Sequence, residues 1–296
     1  MRWPPPSDWP NVSLSRQIHA PPHRWHVQET GAGPCLLMLH GAGGSVHSFR
    51  DMLGALAAHY RVIAIDLPGQ GFTRLGARHR CGLDPMAQDI EKLCQQEGWQ
   101  PRAIIGHSAG SALALKLSQT LRTAEGEVPQ VVGINPALDT FDGIAGVLFP
   151  AIAKMLAAIP FSASVFSATS ATPSRIETLL RGTGSVLDAG GRALYQRLVA
   201  DRDHVDGTLL MMSQWSLDAL VRSLPALETR TLFIIGLRDG AVPPRVARDA
   251  ASRMADARVI EFPDHGHLVH EEVADDIARH VSAFLGDRSS EGTQPR

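Results

Sequence analysis

The sequence predicts an α/β fold: a mostly parallel β-sheet flanked by helices, with a helical cap inserted before the last strands. Three observations predict it. Short apolar runs such as 35–39, 61–65 and 130–134 end in glycine- or proline-rich turns, the pattern of strands buried on both faces. Segments with helical spacing alternate with these runs, which implies parallel pairing and right-handed crossovers. The interval from Asn135 to Arg230 then breaks the rhythm, being too long for one crossover and mainly helical in pattern.

Taken in order, residues 1–22 are rich in Pro and Trp and read as an N-terminal extension wrapping the surface. The core is expected over 23–136 and 221–286. It opens with strands at 23–28 and 35–39, the second running into a glycine cluster. Residues 48–60 have helical spacing through Phe49, Met52, Leu53 and Leu56, and 61–65 form a β-branched strand. A helix over 84–98 carries Met86, Ile90, Leu93 and Cys94 on one face. A strand at 102–105 leads into a helix at 108–120, and 130–134 is the next strand. The cap is expected over 137–220, with helices at 174–181, 187–200 and 205–220. Residues 144–159, apolar except for Lys154, read as a helix packed on the body rather than skimming a membrane. Strands at 231–235 and 258–262 and a helix at 271–285 close the fold. Residues 287–296 form a frayed polar tail.

Composition narrows the function classes. A net charge of -2 with no Lys/Arg stripe gives no electrostatic case for nucleic acid. Three cysteines, Cys35, Cys81 and Cys94, suit a reducing compartment better than a disulfide framework, and their spacing suggests no metal site. The start Met1-Arg2-Trp3-Pro4-Pro5-Pro6 lacks the apolar region of a signal peptide, and no run reaches the roughly 18 apolar residues of a membrane span. The expected location is cytoplasmic.

The chemistry concentrates in four turns. Gly106-His107-Ser108-Ala109-Gly110 follows an apolar strand and opens a helix, the context in which G-x-S-x-G forms a nucleophile elbow. A serine hydroxyl needs a base. His267, in Asp264-His265-Gly266-His267-Leu268 after the last strand, is the candidate, and His265 is its competitor. Asp239, in Gly236-Leu237-Arg238-Asp239-Gly240, is the candidate to orient it, with Asp139 and Asp142 after the preceding strand as alternatives. The chain order Ser, Asp, His is the one such a fold uses. Acyl transfer also needs oxyanion donors. The backbone amides of Ala42, in His40-Gly41-Ala42-Gly43-Gly44, and of Ala109 are assigned to that role. The glycine loop lacks the lysine and spacing of a phosphate loop. His40 reads as a hydrogen-bonding loop residue.

Together His40-Gly41, Asp66-Leu67-Pro68-Gly69-Gln70-Gly71, the Ser108 elbow, Gly236-Leu237-Arg238-Asp239 and Gly266-His267 resemble the α/β-hydrolase superfamily across nearly the whole chain. Gln70 stands where many members carry histidine. A narrower set of segments resembles the BchO family of magnesium-chelatase accessory proteins of bacteriochlorophyll synthesis. These are Asp8-Trp9-Pro10-Asn11, Trp25-His26-Val27-Gln28, Ile134-Asn135-Pro136-Ala137-Leu138, Leu180-Arg181-Gly182-Thr183-Gly184-Ser185, His204-Val205 and Met211-Met212-Ser213-Gln214-Trp215. This resemblance implies a role near magnesium insertion into protoporphyrin IX. It also implies a hydrophobic small-molecule substrate of tetrapyrrole type, magnesium-chelatase subunits as partners, and action in the cytoplasm at the periphery of the photosynthetic membrane. It specifies no reaction. No cofactor and no bound metal are expected, since magnesium would belong to the chelatase and its product.

Met211, Met212 and Trp215 are candidates for a substrate pocket, against the plainer reading of cap core. Arg175, Arg181, Arg192 and Arg197 are candidates for propionate contacts, against the plainer reading of solvated helix faces. Three functional readings stand: an accessory protein of magnesium insertion built on a Ser–Asp–His hydrolase fold, ranked first; a generic serine carboxylesterase; and a cofactor-free haloperoxidase-like or C–C-bond hydrolase.

Overall fold

The computed structural model describes residues 1–139, 167 and 170–286; the apolar stretch 144–159, Asp142 and the tail 287–296 lie outside the described residues. Strands β1 (Ser15–Ala20), β2 (His23–Thr30), β3 (Cys35–Leu39), β4 (Arg61–Ile65), β5 (Ala103–His107), β6 (Gln130–Ile134), β7 (Thr231–Gly236) and β8 (Ala257–Phe262) form one sheet. Their order is β1-β2-β4-β3-β5-β6-β7-β8. From β4 to β8 all neighbours are parallel, while β1–β2 and β2–β4 are antiparallel. The strand at the N-terminal edge falls in 1–22, where the sequence predicts a surface extension without a strand. Ser-Arg-Gln-Ile-His-Ala buries only Ile18 and Ala20, so it lacks the apolar run that marks the inner strands.

Successive residues of the inner strands face opposite sides. In β3, Leu37 and Leu39 join a core with α2 (Leu83–Glu97) and α3 (Ala109–Ser118), through residues such as Ile90, Leu93 and Leu113. Leu36 and Met38 join a core on the other face with α1 (Leu53–Ala57) and the C-terminal helix. Burying both faces is what dictates the near-continuous apolar runs.

Among the described residues, four helices lie between β6 and β7: α4 (Pro173–Gly182), α5 (Ala189–Ala200), α6 (Arg202–Gln214) and α7 (Asp218–Ser223). Of these, α6 docks on loops at the carboxyl ends of the strands. His204 accepts from the Gly71 amide through Nδ1 (3.0 Å) and donates from Nε2 to the Gly43 carbonyl (3.2 Å). Gly207 packs directly on Gly69, where a Cβ would lie 2.2 Å from the Gly69 oxygen. The remaining helices are α8 (Arg245–Arg253), α9 (Val269–Glu272) and α10 (Ala274–Gly286). The sequence reading had no element at α8, whose buried face is built only from Val246, Ala247 and Ala250. The helix read over 48–60 is instead a 3₁₀ turn, Val46–Phe49, followed by the short α1. Asp66 Oδ1 takes the Val46 amide at 2.7 Å, and Ser45 caps His47, which fixes the tight turn.

β3 lies between β4 and β5, so the connections from β3 and β5 leave in opposite directions along the sheet. In an open parallel sheet the crevice at the carboxyl ends of such strands is where ligands bind. Ala42 follows β3 and Ser108 follows β5.

Candidate active site

The turn between β5 and α3 places Ser108 at φ 52°, ψ -117°. An L-residue there costs about 1–3 kcal/mol and persists only where its surroundings enforce it. The surroundings are close backbone contacts: a Cβ on Gly106 would lie 2.2 Å from the Gly110 oxygen, and one on Gly110 would lie 2.1 Å from the Leu39 oxygen. Only glycine fits at either position. The Ser108 amide donates to Ile134 (2.9 Å), and its carbonyl accepts from Ser111 (3.0 Å). The half-buried hydroxyl has no hydrogen-bond partner among the described residues. It stands at the N-terminus of α3, where developing negative charge is favoured.

Across the same edge, His267 Nδ1 meets Asp239 Oδ2 at 2.7 Å, with side chains 10% and 1% exposed. The other oxygen, Asp239 Oδ1, accepts from the amides of Ala241 (2.7 Å) and Val242 (2.8 Å). A carboxylate so held accepts a hydrogen bond from Nδ1–H and leaves Nε2 as the basic nitrogen. Asp139 instead pairs with Arg245 at 3.6 Å, and Asp142 lies outside the described residues. His265 packs on Phe262 and has a buried Nδ1 with no hydrogen-bond partner among the described residues. Of the two histidines, the fold brings His267 to Asp239.

Two residues the sequence reading passed over hold this loop. Asn135, just past β6 with φ 42°, donates from Nδ2 to the carbonyls of Gly266 (3.0 Å) and His267 (2.7 Å), and its Oδ1 accepts the Gly236 amide (2.8 Å). One amide side chain thus ties the ends of β6 and β7 to the histidine turn. His107 donates from Nε2 to the His267 carbonyl at 2.9 Å. Burial, reinforced by His270 and His267, holds its pKa well below the ordinary value, so the ring is neutral. An asparagine directly before Pro136, at the end of an apolar strand, is the available signal for the first. The second sat unread inside the elbow motif.

The glycine loop after β3 is fixed by side chains around it. His40 accepts from the Leu67 amide at Nε2 (2.9 Å) and donates from Nδ1 to the Gly41 carbonyl (2.7 Å). Gln70 Oε1 accepts the Gly43 amide (2.7 Å), which is how glutamine serves at this position. The Gly44 amide turns back to Gly41 (3.0 Å). These bonds leave the Ala42 amide without a partner among the described residues, and the Ala109 amide is the unpaired first donor of α3. The loop lies against the elbow: a Cβ on Gly41 would be 3.0 Å from Ser108 Cβ.

Met211 is buried, and its Sδ accepts from Gln70 Nε2 at 3.1 Å. Trp215 is half-buried against the main core, and Met212 is half-buried. Arg181 pairs with Glu177 on an exposed face, Arg192 bonds the Leu187 carbonyl, and Arg197 meets Asp8 and lies over Trp9. Arg175 is exposed. No cluster of three potential metal ligands occurs among the described residues, and no helix among them is long and apolar enough to cross a membrane. A cavity of about 670 Å³ lined by Trp3, Arg24, Phe72 and Arg74 contains none of the candidate residues.

The sequence model of the α/β hydrolase fold family matches residues 34–274. A magnesium-chelatase 30 kDa subunit of Rhodobacter capsulatus is 48% identical over 282 residues, spanning 95% of this chain and 97% of that one. A pimeloyl-acyl-carrier-protein methyl ester esterase of Xanthomonas oryzae pv. oryzae is 26% identical over 261 residues, 88% of this chain and 98% of that one. Among solved structures, an esterase from Exiguobacterium antarcticum superposes with a TM-score of 0.74 at 19% identity, covering 91% of this chain and 98% of that one, a likeness of fold.

Proposed function

The chain belongs to the α/β-hydrolase fold family, and from that premise we propose that it carries a Ser108–His267–Asp239 triad and serves as an accessory protein of magnesium insertion in bacteriochlorophyll synthesis. The observation that carries the chemical half is the buried His267–Asp239 pair, 2.7 Å apart, at the same sheet edge as a serine held in a strained turn. Nε2 of His267 takes the Ser108 proton as Oγ attacks a carbonyl carbon. The amides of Ala42 and Ala109 receive the oxyanion, and Asp239 stabilises the imidazolium. The intermediate collapses to an acyl-serine, with the proton passing from His267 to the leaving group. Water, activated by the same nitrogen, then releases the acid and restores Ser108.

The biological half is supported by the 48% end-to-end identity with the Rhodobacter capsulatus protein named as a magnesium-chelatase subunit. The ligand class is a hydrophobic small molecule of tetrapyrrole type, with Met212 and Trp215 of the helical insertion as candidate contacts beside the more deeply buried Met211. Chelatase subunits are the proposed partners, at the cytoplasmic periphery of the photosynthetic membrane. Pigment intermediates in a deletion strain test this. Accumulated protoporphyrin IX that is cleared by the wild-type gene supports it, and a normal pigment profile overturns it. Folded Ser108→Ala protein that fails to rescue assigns the triad to the role, whereas full rescue removes hydrolysis from it.

A second reading, a carboxylesterase of small acyl esters, is favoured by the 26% identical methyl ester esterase. Ester turnover combined with a normal deletion phenotype selects it.

A further inference from the structure

The segment Arg181-Gly182-Thr183-Gly184-Ser185 stood out in the sequence, and the proposed chemistry does not use it. It is the turn by which α4 ends. Thr183 and Gly184 donate their amides to Leu180 and Arg181, and Gly184 adopts φ 77°. The turn wedges between the loops that carry Asp239 and His267. A Cβ on Gly184 would lie 1.7 Å from the Arg238 oxygen, one on Gly240 2.4 Å from the Gly182 oxygen, and one on Gly266 2.3 Å from the Gly184 carbonyl carbon. Glycine at these three positions lets three backbones interlock.

The interlock has a specific hydrogen-bond consequence. The single carbonyl of Thr183 accepts both the Gly240 amide (3.1 Å), one residue past Asp239, and the His267 amide (3.0 Å). Ser185 Oγ accepts the amide of Leu268, the next residue (2.8 Å), and donates to Glu272 Oε2 (2.9 Å). Glu272 Oε2 also accepts the Gly266 amide (3.0 Å), and Oε1 accepts that of Val186 (3.0 Å). Each backbone amide from Gly266 to Leu268 is thus held by the insertion or by the carboxylate anchored to it.

We propose that the Thr183–Ser185 turn, locked by Glu272, is the positioning element of the His267–Asp239 pair, so that docking of the helical insertion sets the alignment of the base. This rests on the reading of that pair as the acid–base pair of a triad. The acid and the base then reach their 2.7 Å separation only with the insertion seated. A ligand or partner that moves α4 acts on His267 through the Thr183 carbonyl.

The test uses full-length Ser185→Ala and Glu272→Gln, each verified as folded by circular dichroism. Two signals are read: the low-field proton resonance of His267 Nδ1–H, assigned by its loss in Asp239→Ala, and hydrogen exchange at the His267 and Gly240 amides. Each variant removes an anchor of the turn, which loosens the hold of the Thr183 carbonyl on both amides and is expected to speed their exchange about tenfold. The same variants are expected to lose about 10- to 100-fold in the rate of fluorophosphonate labelling, as a base displaced by a fraction of an ångström would. A general loss of stability would lower the labelled fraction and leave the resonance of the folded protein in place. Folded variants with an unchanged resonance and unchanged exchange overturn the proposal; if Ser185→Ala does not fold, Glu272→Gln decides. Wild-type protein that shows the resonance but takes no label sinks the hydrolase reading, while the resonance and exchange data still decide the positioning claim.

Discussion

The imidazole of His107 donates to the backbone carbonyl of His267 across 2.9 Å, joining the residue before the candidate nucleophile to the candidate base. The rings of the two residues lie 4.7 Å apart. The elbow and the base turn are therefore one hydrogen-bonded unit, not two loops that happen to approach. His107→Phe retains an aromatic ring beside His270 but removes the donor. It is expected to cost about 1 kcal/mol of stability and about 10- to 100-fold in labelling rate at Ser108. Chemical denaturation and labelling kinetics check the two figures.

Asn135 makes three hydrogen bonds that hold β7 and the histidine turn to the end of β6. Asn135→Ala leaves the Gly236 amide and the Gly266 carbonyl without this partner, leaves the His267 carbonyl with His107 alone, and places alanine at φ 42°. A loss of about 2–4 kcal/mol is expected from bonds of this kind. Asn135→Asp, which turns an acceptor toward two carbonyls, is expected to be worse than alanine. Urea midpoints measure both.

Ser108 is the third non-glycine residue besides Asn11 and Asn135 with positive φ among the described residues. If strain is held there for geometry's sake, Ser108→Gly is expected to be more stable than Ser108→Ala by about 1 kcal/mol or more, although both abolish labelling. Equal melting temperatures for the two variants contradict a strained elbow.

Buried histidines make stability depend on pH. Burial pushes His204 down to about 4 and His270 down to about 3, and it lowers His40, His47 and His107 as well. Their folded values lie below the ordinary 6.5, so the folded state binds fewer protons. Their contribution is present above pH 6.5 and is lost as pH falls from there toward 4 and 3, at about 1.4 kcal/mol per pH unit for each group. Glu271 opposes one of them. Burial pushes it up to about 7 despite Arg50 at 2.5 Å and the Tyr195 hydroxyl at 2.6 Å, so its contribution grows as pH falls from 7 toward 4.5. The net expectation is a falling melting temperature from pH 6.5 to 5. Both ring nitrogens of His270 lack hydrogen-bond partners among the described residues, so His270→Phe is expected to reduce the slope by about 1.4 kcal/mol per pH unit without loss at pH 7.5. An unchanged slope contradicts the assignment.

The inner sheet was legible because β3 to β7 are buried on both faces and must be apolar throughout. The edge strand β1 and the helix α8 were not, because Ile18 with Ala20, and Val246 with two alanines, are too small an apolar signal. At the candidate site, the proposed Ser108, Asp239 and His267 stand out by side-chain chemistry in ordered motifs. Thr183 does not, since it acts through a carbonyl that any residue possesses. Nor does His107, whose role depends on a loop 160 residues away along the chain.

Ser108 is proposed as a nucleophile activated by His267 and Asp239. Intact-mass spectrometry after fluorophosphonate treatment tests this most directly. One adduct is expected on wild-type protein, mapped to Ser108, absent from Ser108→Ala and formed far more slowly in His267→Ala. Folded wild-type protein without an adduct, or an adduct that persists in Ser108→Ala, would contradict it.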